Sequence, residues 1–62
     1  MNGMEIKRIR AALDLSQADF ARLLDVSTRT LQNWEQDRNT PSAAAVALLR
    51  LAEAGRIKAK KK

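Results

Sequence analysis

This chain of 62 residues contains no cysteine and no histidine. The first absence excludes disulfides and a zinc–thiolate centre as the means of holding a small fold together. The second removes the commonest general base and the commonest metal ligand. No apolar run approaches the roughly 20 residues needed to span a bilayer, and no signal peptide is visible, so no membrane partner is expected. The only glycines are Gly3 and Gly55, so no glycine-rich loop is available to cradle a phosphate. The acidic residues are scattered, and none pairs obviously with a second catalytic group. No enzymatic activity, metal or cofactor is expected, and a reducing cytoplasm is the expected setting. Alternating β-branched apolar residues are scarce too, which argues against strands.

What is present is helix-forming. Alanine, leucine and arginine dominate, and the length fits one small domain with a modest core. The net charge of +5 overstates the basicity of that domain, because five of the twelve basic residues lie in the last seven positions. Residues 1–55 therefore read as a nearly neutral folded unit, and residues 56–62 as a basic, disordered tail. The tail has two readings, non-specific attraction to phosphates or simple solubility.

Four helices are expected. Ile6, Ile9 and Leu13 form one stripe on a helix over about 4–14. Ser16 caps a second helix, with Asp19 three residues later in a capping-box pattern, and Phe20, Ala21 and Leu24 as its inner face. Asp25-Val26-Ser27 is a turn, and Ser27 caps a third helix from 28 to about 36. Asn39-Thr40-Pro41-Ser42 is a loop, Ser42 caps a fourth helix over about 43–54, and Gly55 stops it.

On a helical projection at about 100° per residue, the third helix has two faces. Thr28, Arg29, Gln32, Asn33 and Gln36 share one side, while Leu31 and Trp34 lie opposite and Glu35 sits at the edge. The outer stripe carries no acid. Arginine can bond guanine O6 and N7 together, asparagine and glutamine can do the same for adenine, and a threonine methyl can touch thymine. A generic solvated face usually mixes in Glu and Lys, and this one has neither. Counting from Gln17, the fifth position is the small Ala21, the ninth is Asp25, which tolerates left-handed dihedrals, and the fifteenth is the aliphatic Leu31. That is the pattern of two helices joined by a tight turn.

The run Leu15-Ser16-Gln17, Phe20-Ala21, Leu24, Val26-Ser27, Leu31, Trp34-Glu35 and Pro41-Ser42 resembles an XRE-type helix-turn-helix domain, as in the lambdoid phage repressors. The segments 31–38 and 47–51 also resemble the DNA-binding part of HigA-like antitoxins. The resemblance implies an all-α, compact bundle of four to five helices. It implies that Thr28, Arg29, Gln32 and Asn33 face bases, and that Gln17 and Arg38 touch phosphates, with Ser27 at a helix N-terminus and Gln36 beside them. The chain departs from the family at Asp25 and Asp37, where glycine is usual. The resemblance also implies a partner for Arg10, which lies on the apolar stripe of helix 1 and is costly to bury alone. Glu35 is that partner, in a salt bridge tying helix 1 to helix 3. Trp34, the single tryptophan, is expected in the core rather than on DNA.

Helix 4 carries more apolar surface than a core needs. Ala45, Leu48, Leu49 and Ala52 suffice, leaving Val46 and Leu51 on its flanks and Leu23 surplus on helix 2. A two-fold homodimer through helix 4 and the start of the tail is expected, with Val46 and Leu51 at its interface, matched to an inverted-repeat operator. Two functions follow. The first is a sequence-specific regulator of transcription on double-stranded DNA, acting as a repressor. The alternative is an antitoxin that neutralises a cognate toxin by direct contact and represses its own operon.

Overall fold

The computed structural model describes residues 1–55, in which the chain forms four α-helices. They are α1 (Gly3–Ala12), α2 (Gln17–Leu23), α3 (Thr28–Glu35) and α4 (Ala43–Glu53). No strand occurs among the described residues. The basic segment 56–62 lies outside them.

Each helix starts on a side-chain oxygen that satisfies one of the N–H groups left without an intrahelical partner. Ser16 accepts from the Asp19 N–H at 3.1 Å, Ser27 from Thr30 at 3.0 Å and Ser42 from Ala45 at 3.1 Å. At α1 the cap is Asn2, which accepts from the Glu5 N–H at 2.9 Å, while the Glu5 carboxylate accepts from the Asn2 N–H at 3.2 Å. This reciprocal box draws α1 back to Gly3, one residue earlier than its hydrophobic stripe indicates. Each cap is worth about 1 kcal/mol.

The helix ends share one device. The residue after each C-cap is left-handed, with φ of +57° at Asp14, +60° at Asp25, +61° at Asp37 and +76° at Gly55. In the first three, two backbone bonds close the end. Asp14 N donates to Ala11 O and Leu15 N to Arg10 O, Asp25 N to Arg22 O and Val26 N to Ala21 O, Asp37 N to Trp34 O and Arg38 N to Asn33 O. This Schellman closure needs a left-handed residue. Aspartate tolerates that conformation better than most non-glycine residues, at a cost glycine avoids. The turn at Asp14 ends α1 at Ala12, two residues short of the expected boundary.

The core is made of Ile6, Ile9, Leu15, Phe20, Ala21, Leu24, Leu31, Trp34, Ala45, Leu49 and Ala52. Leu13, Leu23, Val26 and Leu48 pack against it half-buried. Leu23 is thus part of the packing and not surplus surface. α3 rests on both α2 and α1, whereas α4 leans on α1. The third helix is therefore held along its inner side by two neighbours, with its other side open.

One close approach sets how α1 meets α3. A β-carbon on Gly3 would run into the carbonyl oxygen of Glu35 and stand 2.8 Å from that of Trp34. Only glycine lets the start of α1 come this near the end of α3. Asp37 then uses its Oδ1 to accept from the Gly3 N–H at 2.8 Å. Asp37 is thus engaged within the fold, at the positive end of α1, where a carboxylate is favoured.

Candidate nucleic-acid interface

Leu31, Trp34 and Glu35 are the buried side of α3. Arg29 and Gln36 are exposed, and Thr28, Gln32 and Asn33 are half-buried at its open side. The apolar stripe turns inward because α1 and α2 cover it, and the polar stripe is left to solvent as one consequence of the same packing. The first turn of α3 contains no acid. At that end the Ser27 hydroxyl accepts from Thr30 N and donates to Thr30 Oγ1 at 2.9 Å. The main-chain N–H groups of Thr28 and Arg29 remain as donors, since the first turn has no intrahelical acceptor for them.

Arg38 is exposed beyond the C-terminal end of α3. It lines a shallow polar hollow with Asp37, Asn39, Thr40 and Ser42. Arg22 projects from α2 with its side chain largely in solvent, near Asp19 at 3.7 Å. Arg29 and Arg38 thus give cationic groups on α3 and just beyond its end, while Glu35, the one acid of that helix, is buried.

Glu35 is the hub of the site. Its Oε2 accepts from Arg10 Nε at 2.8 Å, with the Glu35 side chain 2% exposed and that of Arg10 25% exposed. Arg10 Nη1 also donates to the carbonyl oxygen of Leu15 at 3.1 Å. The second carboxylate oxygen, Oε1, accepts from Gln17 Nε2 at 3.0 Å, and Gln17 Oε1 in turn accepts from Gln32 Nε2 at 3.3 Å. Four side chains from α1, α2 and α3 are linked in one line from the core to the open face. No buried side-chain nitrogen or oxygen among the described residues is left without a partner. The structure therefore brings together Arg10 and Glu35, and it joins Gln17 to Gln32. The second link has no signal in the sequence, because a projection of α3 says nothing of which α2 residue lies over it.

A helix-turn-helix family model matches residues 6–58 of this chain. The chain belongs to the helix-turn-helix family, of the XRE type. It is 51% identical over 49 residues to Antitoxin HigA-2 of Vibrio cholerae serotype O1, covering 79% of this chain and 47% of that protein. It is 42% identical over 50 residues to the HTH-type transcriptional regulator YiaG of Escherichia coli K12, covering 81% of this chain and 52% of that protein. The chain spans about half the length of these curated relatives. Within this helix-turn-helix, α2 and α3 are the two helices of the motif and α3 is its second. No helix among the described residues is long and apolar enough to cross a membrane.

Val46 is half-buried and Leu51 is 41% exposed, on opposite flanks of the core-facing stripe of α4. Met4 on α1 is more exposed still, at 77%. At about 100° per residue Met4 lies nearly opposite the Ile6 stripe, so its exposure agrees with the helical projection.

Proposed function

We propose that this protein is a transcriptional regulator that binds double-stranded DNA by sequence and acts as a repressor. The observation that carries this reading is the rigidly backed polar face of α3. A rod whose inner side is packed and whose outer side offers Arg29, Gln32 and Asn33 fits the major groove and can meet base edges there. Thr28 adds a methyl for thymine. Arg38, Gln36, Gln17 and the N-terminus of α3 at Ser27 stand at the borders of that face, where phosphates run and where contacts set register rather than preference. Repression follows from occlusion of a promoter, in the cytoplasm and on the nucleoid.

Selection of bound duplexes from a random pool tests the reading directly. One sequence, enriched as an inverted repeat with half-sites about one helical turn apart, is the expected result. Arg29→Ala then relaxes preference at one position and costs about 1–3 kcal/mol. Binding that is equally poor on every duplex would refute sequence recognition. The inverted repeat requires a two-fold dimer, for which Val46 and Leu51 on α4 supply apolar surface. A monomeric mass at micromolar concentration, with and without operator DNA, would remove the dimer.

A second reading is favoured by the likeness to an antitoxin, whose identity of 51% exceeds the 42% shared with the HTH-type regulator. In it the protein also neutralises a cognate toxin and represses its own operon. Co-expression with the product of the adjacent gene is the test, and a complex of fixed stoichiometry is the expected result. Failure to form one, with operator binding intact, leaves the regulator alone.

A further inference from the structure

We infer that the Asn2–Gly3 peptide is a self-modification site, held shut by the side chain of Asp37, at which opening of the α1–α3 junction is recorded as an irreversible isoaspartate. The inference does not depend on what α3 binds.

Of the asparagines Asn2, Asn33 and Asn39, only Asn2 precedes glycine; Asn33 precedes Trp34 and Asn39 precedes Thr40. Asparagine is a labile side chain, and its lability is greatest where the next main-chain nitrogen can reach the side-chain amide. Glycine, with no β-carbon, lets that nitrogen approach most freely. The step is intramolecular. The Gly3 nitrogen bonds to Asn2 Cγ, the Cγ–Nδ2 bond breaks, and the proton of the Gly3 N–H leaves with the departing NH2 as ammonia. Water then opens the five-membered imide. Cleavage at Cγ gives aspartate at position 2. Cleavage at the main-chain carbonyl carbon gives isoaspartate, in which the backbone runs through Cβ and Cγ. One water enters and one ammonia leaves, with no change of oxidation state.

The folded chain fastens both reacting ends. Asn2 Oδ1 accepts from the Glu5 N–H at 2.9 Å, and Glu5 Oε1 accepts from the Asn2 N–H at 3.2 Å. The Gly3 N–H, whose proton must leave, donates to Asp37 Oδ1 at 2.8 Å. Gly3 itself is buried against the carbonyls of Trp34 and Glu35. The imide, which brings Asn2 Cγ on to the Gly3 nitrogen, forms only after the cap and the Asp37 clasp have let go. Local opening of this kind needs less than global unfolding, and Asn2 is exposed, so water is at hand when it happens. The isoaspartate product cannot close the junction again. Its extra backbone carbon displaces the residue-2 carbonyl, which accepts from the Ile6 N–H at 3.2 Å. It also shifts Gly3 off a seat with no room for a β-carbon.

The experiment ages the full chain at neutral pH, folded in buffer and unfolded in guanidinium chloride. Residue 2 is followed by mass spectrometry, with fragmentation that separates isoaspartate from aspartate. The unfolded chain should lose ammonia at Asn2 well before Asn33 or Asn39. The folded chain should react at least about tenfold more slowly, the factor carried by one hydrogen bond to a charged group. Asp37→Gly and Asp25→Gly relieve the same left-handed strain, but only the first removes the clasp. Folded Asp37→Gly should therefore react several-fold faster than folded Asp25→Gly. Asp37→Asn, which keeps an oxygen for the Gly3 N–H, should stay near the wild type. Melts followed by Trp34 fluorescence establish that each variant is folded, so faster reaction is assigned to the junction and not to the whole domain. The aged, isoaspartate-bearing chain should melt below the wild type, whereas Asn2→Asp, the other product, still caps α1 and should not. Equal rates in the folded and unfolded wild type would overturn the inference. Equal rates in Asp37→Gly and Asp25→Gly, or an isoaspartate chain that melts like the wild type, would overturn it as well.

Discussion

Replacing Arg10 by Met should cost this protein a large part of its stability, and replacing Glu35 as well should return much of it. A domain of this size has about 3–8 kcal/mol to lose, at 0.05–0.15 kcal/mol per residue. In Arg10→Met the Glu35 carboxylate, 2% exposed, keeps only the Gln17 amide and cannot reach water. Breaking a buried pair from one side typically costs about 3–5 kcal/mol, and the quarter exposure of Arg10 places this case near 3 kcal/mol. Glu35→Leu should cost less, about 1–2 kcal/mol, because a guanidinium already in part solvated can swing out and keeps the Leu15 carbonyl as an acceptor. In the double variant no charge is stranded, and a well-packed apolar pair is often neutral relative to the ion pair. Its cost should be about 1–2 kcal/mol, mostly the unpaired Gln17 N–H. The coupling energy is then about 2 kcal/mol or more. Urea melts followed by the fluorescence of Trp34, which is 6% exposed and the only tryptophan, read all four proteins. Additivity of the single changes within about 0.5 kcal/mol would show two independent charges and refute the reasoning.

Other perturbations test separate parts of the structure. Gly3→Ala should destabilise by about 1–3 kcal/mol, since the new β-carbon meets backbone of α3 that cannot rotate aside; an unchanged melting temperature would contradict that contact. Asp25→Gly should stabilise by up to about 1 kcal/mol by relieving a left-handed residue, a rise of several degrees in melting temperature. Asp37→Gly gains the same relief but loses the bond to the Gly3 N–H, so it should stabilise less than Asp25→Gly, and the reverse order in parallel melts would remove the clasp from the account. Arg38→Ala should weaken binding to all duplexes alike and lower the slope of log affinity against log salt by about one; a changed base preference would assign it a different role.

Much of the architecture is legible because helices announce themselves locally. Ser16, Ser27 and Ser42 mark three starts by the same hydroxyl chemistry, and the stripes of Ile6 with Ile9 and of Leu31 with Trp34 mark the inner faces. The start of α1 is equally marked, by Asn2 and Glu5 three residues on, but the hydrophobic stripe begins later and draws the expected boundary with it. The pairing of Arg10 with Glu35 follows from cost together with family likeness. Leu23, by contrast, looks like spare apolar surface along α2 and is in fact packed half-buried against the core, which only the assembled fold decides.

By itself, then, the sequence determined the helices, their caps and the polar stripe of α3, because these depend on neighbours three or four residues apart. The tertiary structure alone decided that Gly3 seats α1 against the end of α3, that Asp37 closes that contact, and that Gln17 stands between Glu35 and Gln32. Those contacts join residues 15 to 34 positions apart. No local periodicity encodes them, because they exist only once three helices have packed and fixed the distances between side chains that the chain itself keeps far apart.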